Sequence, residues 1–100
     1  MIKHVVMFKV KDFGKESEKL HMMGRIKNAL DELPVKIPEI VSFETGLNYS
    51  ESPNAYDIVL ISEFENNTDL KTYSGHPEHL KVVDLIKNNT TARVVVDYAV

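Results

Sequence analysis

The sequence predicts an α+β fold in which four strands and two helical regions follow the order βαββαβ. Three observations lead there. Four short runs rich in β-branched and aromatic residues are separated by turn-forming residues or by helical stretches. Two of the intervening stretches repeat their apolar residues at three- and four-residue spacing. Elements in this order pack best as a four-stranded antiparallel sheet with both helices on one face.

Ile2 to Val10 reads as the first strand, closed by Asp12 and Gly14. Glu16 to Leu33 reads as a helix. Met22, Met23, Ile26, Ala29, Leu30 and Leu33 form its apolar side, while Glu18, Lys19, Arg25, Lys27 and Asp31 take the other. Pro34 is expected to stop it. The second strand is expected over Glu39 to Leu47 and the third over Tyr56 to Glu65, with Asn48 to Ala55 as the longest irregular stretch. Thr68 and Asp69 signal the start of a short helix from Leu70 to Tyr73. Pro77, suited to a first helical position, opens a longer one to about Asn88. Ala92 to Ala99 is the last strand. The arrangement is ferredoxin-like: the first and last strands lie side by side and run in opposite directions.

A chain of 100 residues is expected to form one domain over 1–100, and at this size stability constrains the design. With 43% hydrophobic and 27% charged residues, it reads as globular rather than disordered or membrane-spanning. A net charge of −3 without a basic stripe argues against nucleic acid as a partner. No cysteine is present, which excludes disulfides, thiolate zinc sites and thiol nucleophiles. The start of the chain runs directly into a strand with no basic-then-apolar leader, so a cytoplasmic location and no membrane partner are expected.

Strands with one wet face alternate apolar and polar residues. Here Val5, Met7, Val59, Ile61, Val94 and Val96 point opposite to Val6, Phe8, Ile58, Leu60 and Val95, so both faces are apolar. Two helices cover only one of them. Burying six aliphatic side chains, at about 1.5–3 kcal/mol each, is worth roughly 9–18 kcal/mol as an upper bound. That is comparable with the ~4–15 kcal/mol cost of association. A homodimer whose two sheets close into one barrel is therefore expected.

The runs Ile2-Lys3-His4-Val5-Val6-Met7-Phe8-Lys9-Val10-Lys11, Tyr73-Ser74-Gly75-His76-Pro77-Glu78-His79 and Val96-Asp97-Tyr98 resemble the stress-responsive α/β-barrel family, the dimeric A/B barrel or Dabb domain. The Tyr-x-x-His-Pro-x-His stretch is the specific part. The resemblance implies the same dimeric α/β barrel. A plant member is a polyketide cyclase, and its catalytic tyrosine and histidine look like Tyr73 and His79, with a pocket histidine matching His4. A second pocket histidine of that enzyme falls on Ile58 here, and an aliphatic pocket position falls on Arg93.

Topology brings four chemistry-bearing residues to one end of the sheet: His4, Tyr73, His79 and Asp97. His79 shares a helix side with Val82, Val83 and Ile86, so it is expected to point inward with Asp97 as its carboxylate partner. Such a partner orients one ring nitrogen and leaves the other free to take a proton. Tyr73 would donate to a carbonyl oxygen and stabilise an enolate. The same residues also read as a buried tie between helix and sheet and a core aromatic. His76 reads as a cap for the helix that Pro77 opens, and His21 as solvated. No metal site is expected.

Val6, Phe8, Met22, Met23, Ile26, Ile58, Leu60 and Val82 are expected to line an apolar pocket with Arg93 at its edge. Such a pocket suits a small hydrophobic carbonyl compound. No phosphate-cradling Gly-rich loop is present, and no cofactor is expected. The functional expectation is a polyketide-cyclase-like lyase or isomerase. The alternatives are a non-catalytic ligand-binding or stress-protective dimer and a cofactor-free monooxygenase of the kind that shares this barrel.

Overall fold

The computed structural model describes residues 1–100. It runs β1 (Ile2–Val10), α1 (Glu16–Asp31), α2 (Leu33–Lys36), β2 (Ser42–Leu47), β3 (Ile58–Phe64), α3 (Asn67–Gly75), α4 (Pro77–Asn89) and β4 (Thr90–Ala99). The strands form one antiparallel sheet in the order β2-β3-β1-β4, the ferredoxin-like arrangement. No helix is long and apolar enough to cross a membrane.

Element boundaries depart from expectation where caps decide them. The first helix ends at Asp31, and Pro34 does not stop it. Instead, Pro34 sits in the first turn of α2, where a missing N–H removes no intrahelical bond. The short helix before Tyr73 begins earlier than Leu70, because the Asn66 side chain accepts the Asp69 N–H at 2.8 Å and caps α3. Strand β2 starts at Ser42 rather than Glu39. Strand β4 begins at Thr90, directly after α4, instead of at Ala92.

The helix-side face of the sheet carries the core. Val6 pairs with Leu60 and Phe8 with Ile58, and these four meet Met22, Met23, Ile26 and Leu30 of α1 and Val82 and Ile86 of α4. On the opposite face Val5 lies between Ile61 and Val96, and Met7 between Val59 and Val94. No element of the chain covers this second face, and Val96 is 62% exposed. Val95 pairs with Val6 and so belongs to the helix side, yet it is 44% exposed. The sequence pattern places it among covered residues; β4 is the edge strand, and the helices leave that edge open. This opening positions the site.

Candidate functional site

A cavity of about 400 Å³ lies between α4 and the β1–β4 edge of the sheet. Its volume is in the range of small-molecule sites. Val6, Phe8, Leu30, Leu60, Val83 and Ile86 form apolar walls; His4, Tyr73 and His79 contribute the chemistry; Lys87, Thr90, Thr91, Ala92 and Arg93 complete the rim.

His4 is placed by strand pairing. It stands opposite Ser62 on one side and Asp97 on the other, on the face shared with Val6 and Phe8. The imidazole is buried, and its Nδ1 bonds to the Asp97 carboxylate. A carboxylate only accepts, so Nδ1 carries the proton and Nε2 offers a lone pair when the ring is neutral.

The expected pairing of His79 with Asp97 does not form. Asp97 belongs to His4, because facing residues of neighbouring strands stand within reach of each other without spanning the cavity. His79 Nδ1 instead meets the Ser74 carbonyl oxygen at 2.9 Å. A carbonyl also only accepts, which again puts the proton on Nδ1 and leaves Nε2 as the acceptor. The break between α3 and α4 makes this contact available. In an unbroken helix the Ser74 carbonyl would take the Glu78 N–H. Here that N–H donates to His76 Nδ1 at 3.0 Å, and Ser74 is left for His79. His76 is thus the cap of α4, and Pro77 follows in its first turn.

Tyr73 is fully buried at 0% exposure, and its hydroxyl has no hydrogen-bond partner in the chain. Its ring centroid lies 4.3 Å from that of His79 and 6.2 Å from that of His4. Phe64 and Phe43 close the other sides at 5.0 and 6.3 Å. Burial pushes the Tyr73 phenol well above its usual range, with the Arg93 charge partly opposing. Burial also holds the pKa of the His79 imidazole below the ordinary histidine value. The charges of His4, Arg93 and His76 act in the same direction, and the Ser74 carbonyl acts against them. A neutral imidazole with a free Nε2 therefore stands beside a neutral phenol whose proton is uncommitted. One can take a proton while the other gives a hydrogen bond to an oxygen that gains charge.

Of the residues expected to line the pocket, Val6, Phe8, Leu60 and Arg93 do so. Met22, Met23, Ile26, Ile58 and Val82 do not; they are buried in the packed core away from the open β4 edge. His21 is exposed on α1. No three His, Asp or Glu side chains are grouped as metal ligands. Leu30, Val83, Ile86, Lys87 and the stretch Thr90 to Ala92 join the lining without having been expected there. Val83 and Ile86 carried a signal, since they share the sheet-facing side of α4 with His79. Leu30 carried one as well, on the apolar side of α1; Thr90 to Ala92 did not, because a register shift between Lys9 and Val10 adds a residue to β4 at the rim.

Comparison with known proteins adds a family. The family model for the stress responsive A/B barrel domain matches residues 2–100. A stress-response A/B barrel domain-containing protein of Arabidopsis thaliana is 36% identical over 84 residues, which cover 83% of this chain and 30% of that protein. A solved structure from Bacteroides fragilis, described as a dimeric protein of unknown function with a ferredoxin-like fold, is 39% identical. It has a TM-score of 0.88 and covers 97% of this chain and 93% of its own. The hydroxynitrile lyase of Passiflora edulis has a TM-score of 0.80 at 16% identity, covering 97% of this chain and 90% of its own; that likeness is one of fold.

Proposed function

The chain belongs to the stress responsive A/B barrel domain family, and from that premise we propose that its cavity abstracts a proton next to a carbonyl group of a small hydrophobic compound. In this reading His79 Nε2 is the base, and the Tyr73 hydroxyl donates to the carbonyl oxygen as it becomes an enolate. His4, oriented by Asp97, offers a second nitrogen to return or relay the proton. The outcome is the chemistry of a polyketide-cyclase-like lyase or isomerase: an aldol-type ring closure or a double-bond shift.

The observation that carries this reading is the Tyr73 hydroxyl. It is buried beside His79 and unpartnered in the chain. A desolvated polar group without a partner costs about 1–3 kcal/mol, and a ligand oxygen would satisfy it. The test is turnover of small aromatic and acyl carbonyl compounds by Tyr73→Phe and His79→Ala, each first shown to be folded. Loss of turnover in both supports the reading, and full activity in both removes it.

A second reading is favoured by the aromatic packing of Tyr73 against Phe43 and Phe64. Here Tyr73 is a core residue, and the protein is a non-catalytic dimer that holds a hydrophobic ligand or protects under stress. Ligand-induced stabilisation that survives His79→Ala, with no turnover of any compound, would select it.

The functional unit under either reading is a homodimer. Support comes from the apolar outer face, where Val5, Met7, Val59, Ile61, Val94 and Val96 are flanked by the charged pair of positions Lys3 and Glu63. The Bacteroides fragilis relative is itself described as dimeric.

A further inference from the structure

We propose that Arg93, backed by Lys87, forms a carboxylate-binding subsite at the rim of the cavity, so that the substrate is a hydrophobic keto acid rather than a neutral ketone. The inference rests on the proton-abstraction reading of the same cavity and names the class of compound it takes.

Strand register supplies the geometry. Arg93 stands opposite Phe8, and Asp97 opposite His4, so both β4 residues are on the cavity side. Four residues of strand, at about 3.3 Å each, separate the two positions by roughly 13 Å. Val6, Phe8, Val83 and Ile86 line the same cavity, and the Arg93 charge still reaches Tyr73 and His79, so one small molecule can touch the guanidinium and the reactive groups together. An apolar cavity of about 150 Å³ accepts a benzene ring. A volume of about 400 Å³ leaves room for a ring and a short carbonyl-bearing chain.

The cations at the rim are uncommitted. The ion pairs of the chain are His4–Asp97, Lys19–Asp57, Lys27–Asp31, Lys36 with Glu32 and Glu78, and Lys81–Glu78; Arg93 and Lys87 are in none of them. This occurs in a chain of net charge −3, where carboxylates outnumber cations. Arginine's planar fork matches a carboxylate with two parallel hydrogen bonds. Lys87 lies in the last turn of α4, whose C-terminal carbonyls carry partial negative charge. That end of the helix disfavours a multiply charged phosphate and accepts a single carboxylate held by two cations.

The experiment measures binding of matched acids and methyl esters, 4-acetylbenzoate and β-benzoylpropionate with their esters, by calorimetry. The proteins are the wild type, Arg93→Leu, Arg93→Lys and Tyr73→Phe, and inorganic phosphate is run as a competitor. The expected result is that an acid binds the wild type at least about tenfold more tightly than its ester. Arg93→Leu should abolish that preference while leaving ester affinity in place, and Arg93→Lys should keep part of it. Equal binding of acid and ester, or a preference that survives Arg93→Leu, overturns the subsite. Displacement of the acid by millimolar phosphate overturns the carboxylate assignment, and no binding by any probe overturns subsite and cavity together. An acid preference in Tyr73→Phe with turnover intact leaves the subsite standing and removes the proton-abstraction reading.

Discussion

His4 and Asp97 face each other across one rung of the β1–β4 ladder, and the imidazole Nδ1–H is donated to the carboxylate. The bond joins a buried ring to a side chain that is 45% exposed, so water screens half of the pair. Such a bond does little to hold the sheet, and under the proposed proton abstraction it aims the ring. Asp97→Asn is expected to change stability by less than about 1 kcal/mol. It should also remove the downfield Nδ1 proton resonance of His4 and lower turnover. Urea denaturation and proton NMR check both parts.

Tyr73→Phe separates stability from chemistry. The phenyl ring keeps its contacts with Phe64 and His79, while the hydroxyl that has no partner is gone. Stability is expected to stay level or rise by up to about 1 kcal/mol. Turnover is expected to fall by roughly 10²–10³-fold, as for loss of one oxyanion donor. Thermal melting alongside a rate measurement shows whether the two move in opposite directions.

The depressed pKa of His79 sets a pH dependence. In the unfolded chain this group binds a proton near pH 6.5, whereas in the folded protein it does so only at lower pH. The unfolded state therefore holds more protons in that window, and the contribution of His79 to stability is present above about 6.5 and is lost as pH falls below it. Turnover should lose its base over the acid side of the same window. His79→Gln is expected to flatten the stability profile there, which melting curves from pH 5 to 8 would show.

Val96→Glu tests the bare sheet face. The residue is 62% exposed within the chain, so the substitution costs one subunit little. In a dimer it would place a charge in the middle of an apolar interface, and dissociation is expected. Sedimentation at micromolar concentration should find the wild type as a dimer and the variant as a lower-melting monomer.

Much of the fold was legible because apolar period decides it: β1 is bounded at Ile2 and Val10 as its sequence suggests, and the α1 residues Met22, Met23, Ile26 and Leu30 lie in the core. Helix ends were less legible, since Asn66 and His76 act through side-chain geometry that no period reveals. In the candidate site, His4, Tyr73, His79 and Asp97 lie near one another, as topology alone suggests. It could not decide which histidine takes the carboxylate. That depends on a register of single residues, His4 opposite Asp97, and on a helix break that gives His79 another acceptor. The expected pocket lay too deep in the core because its opening depends on how far the helices reach over the β4 edge.

The interruption at His76 has a consequence for proton placement. Glu78 N–H is drawn to an imidazole cap, and the Ser74 oxygen is left for a second imidazole three residues further on. The extended backbone that precedes Pro77 thereby leaves one imidazole as a cap and gives the other a main-chain acceptor. Where the mobile hydrogen of His79 resides is written into main-chain punctuation, and it is the proline rather than the side chain before it that keeps the Ser74 oxygen from a helical donor.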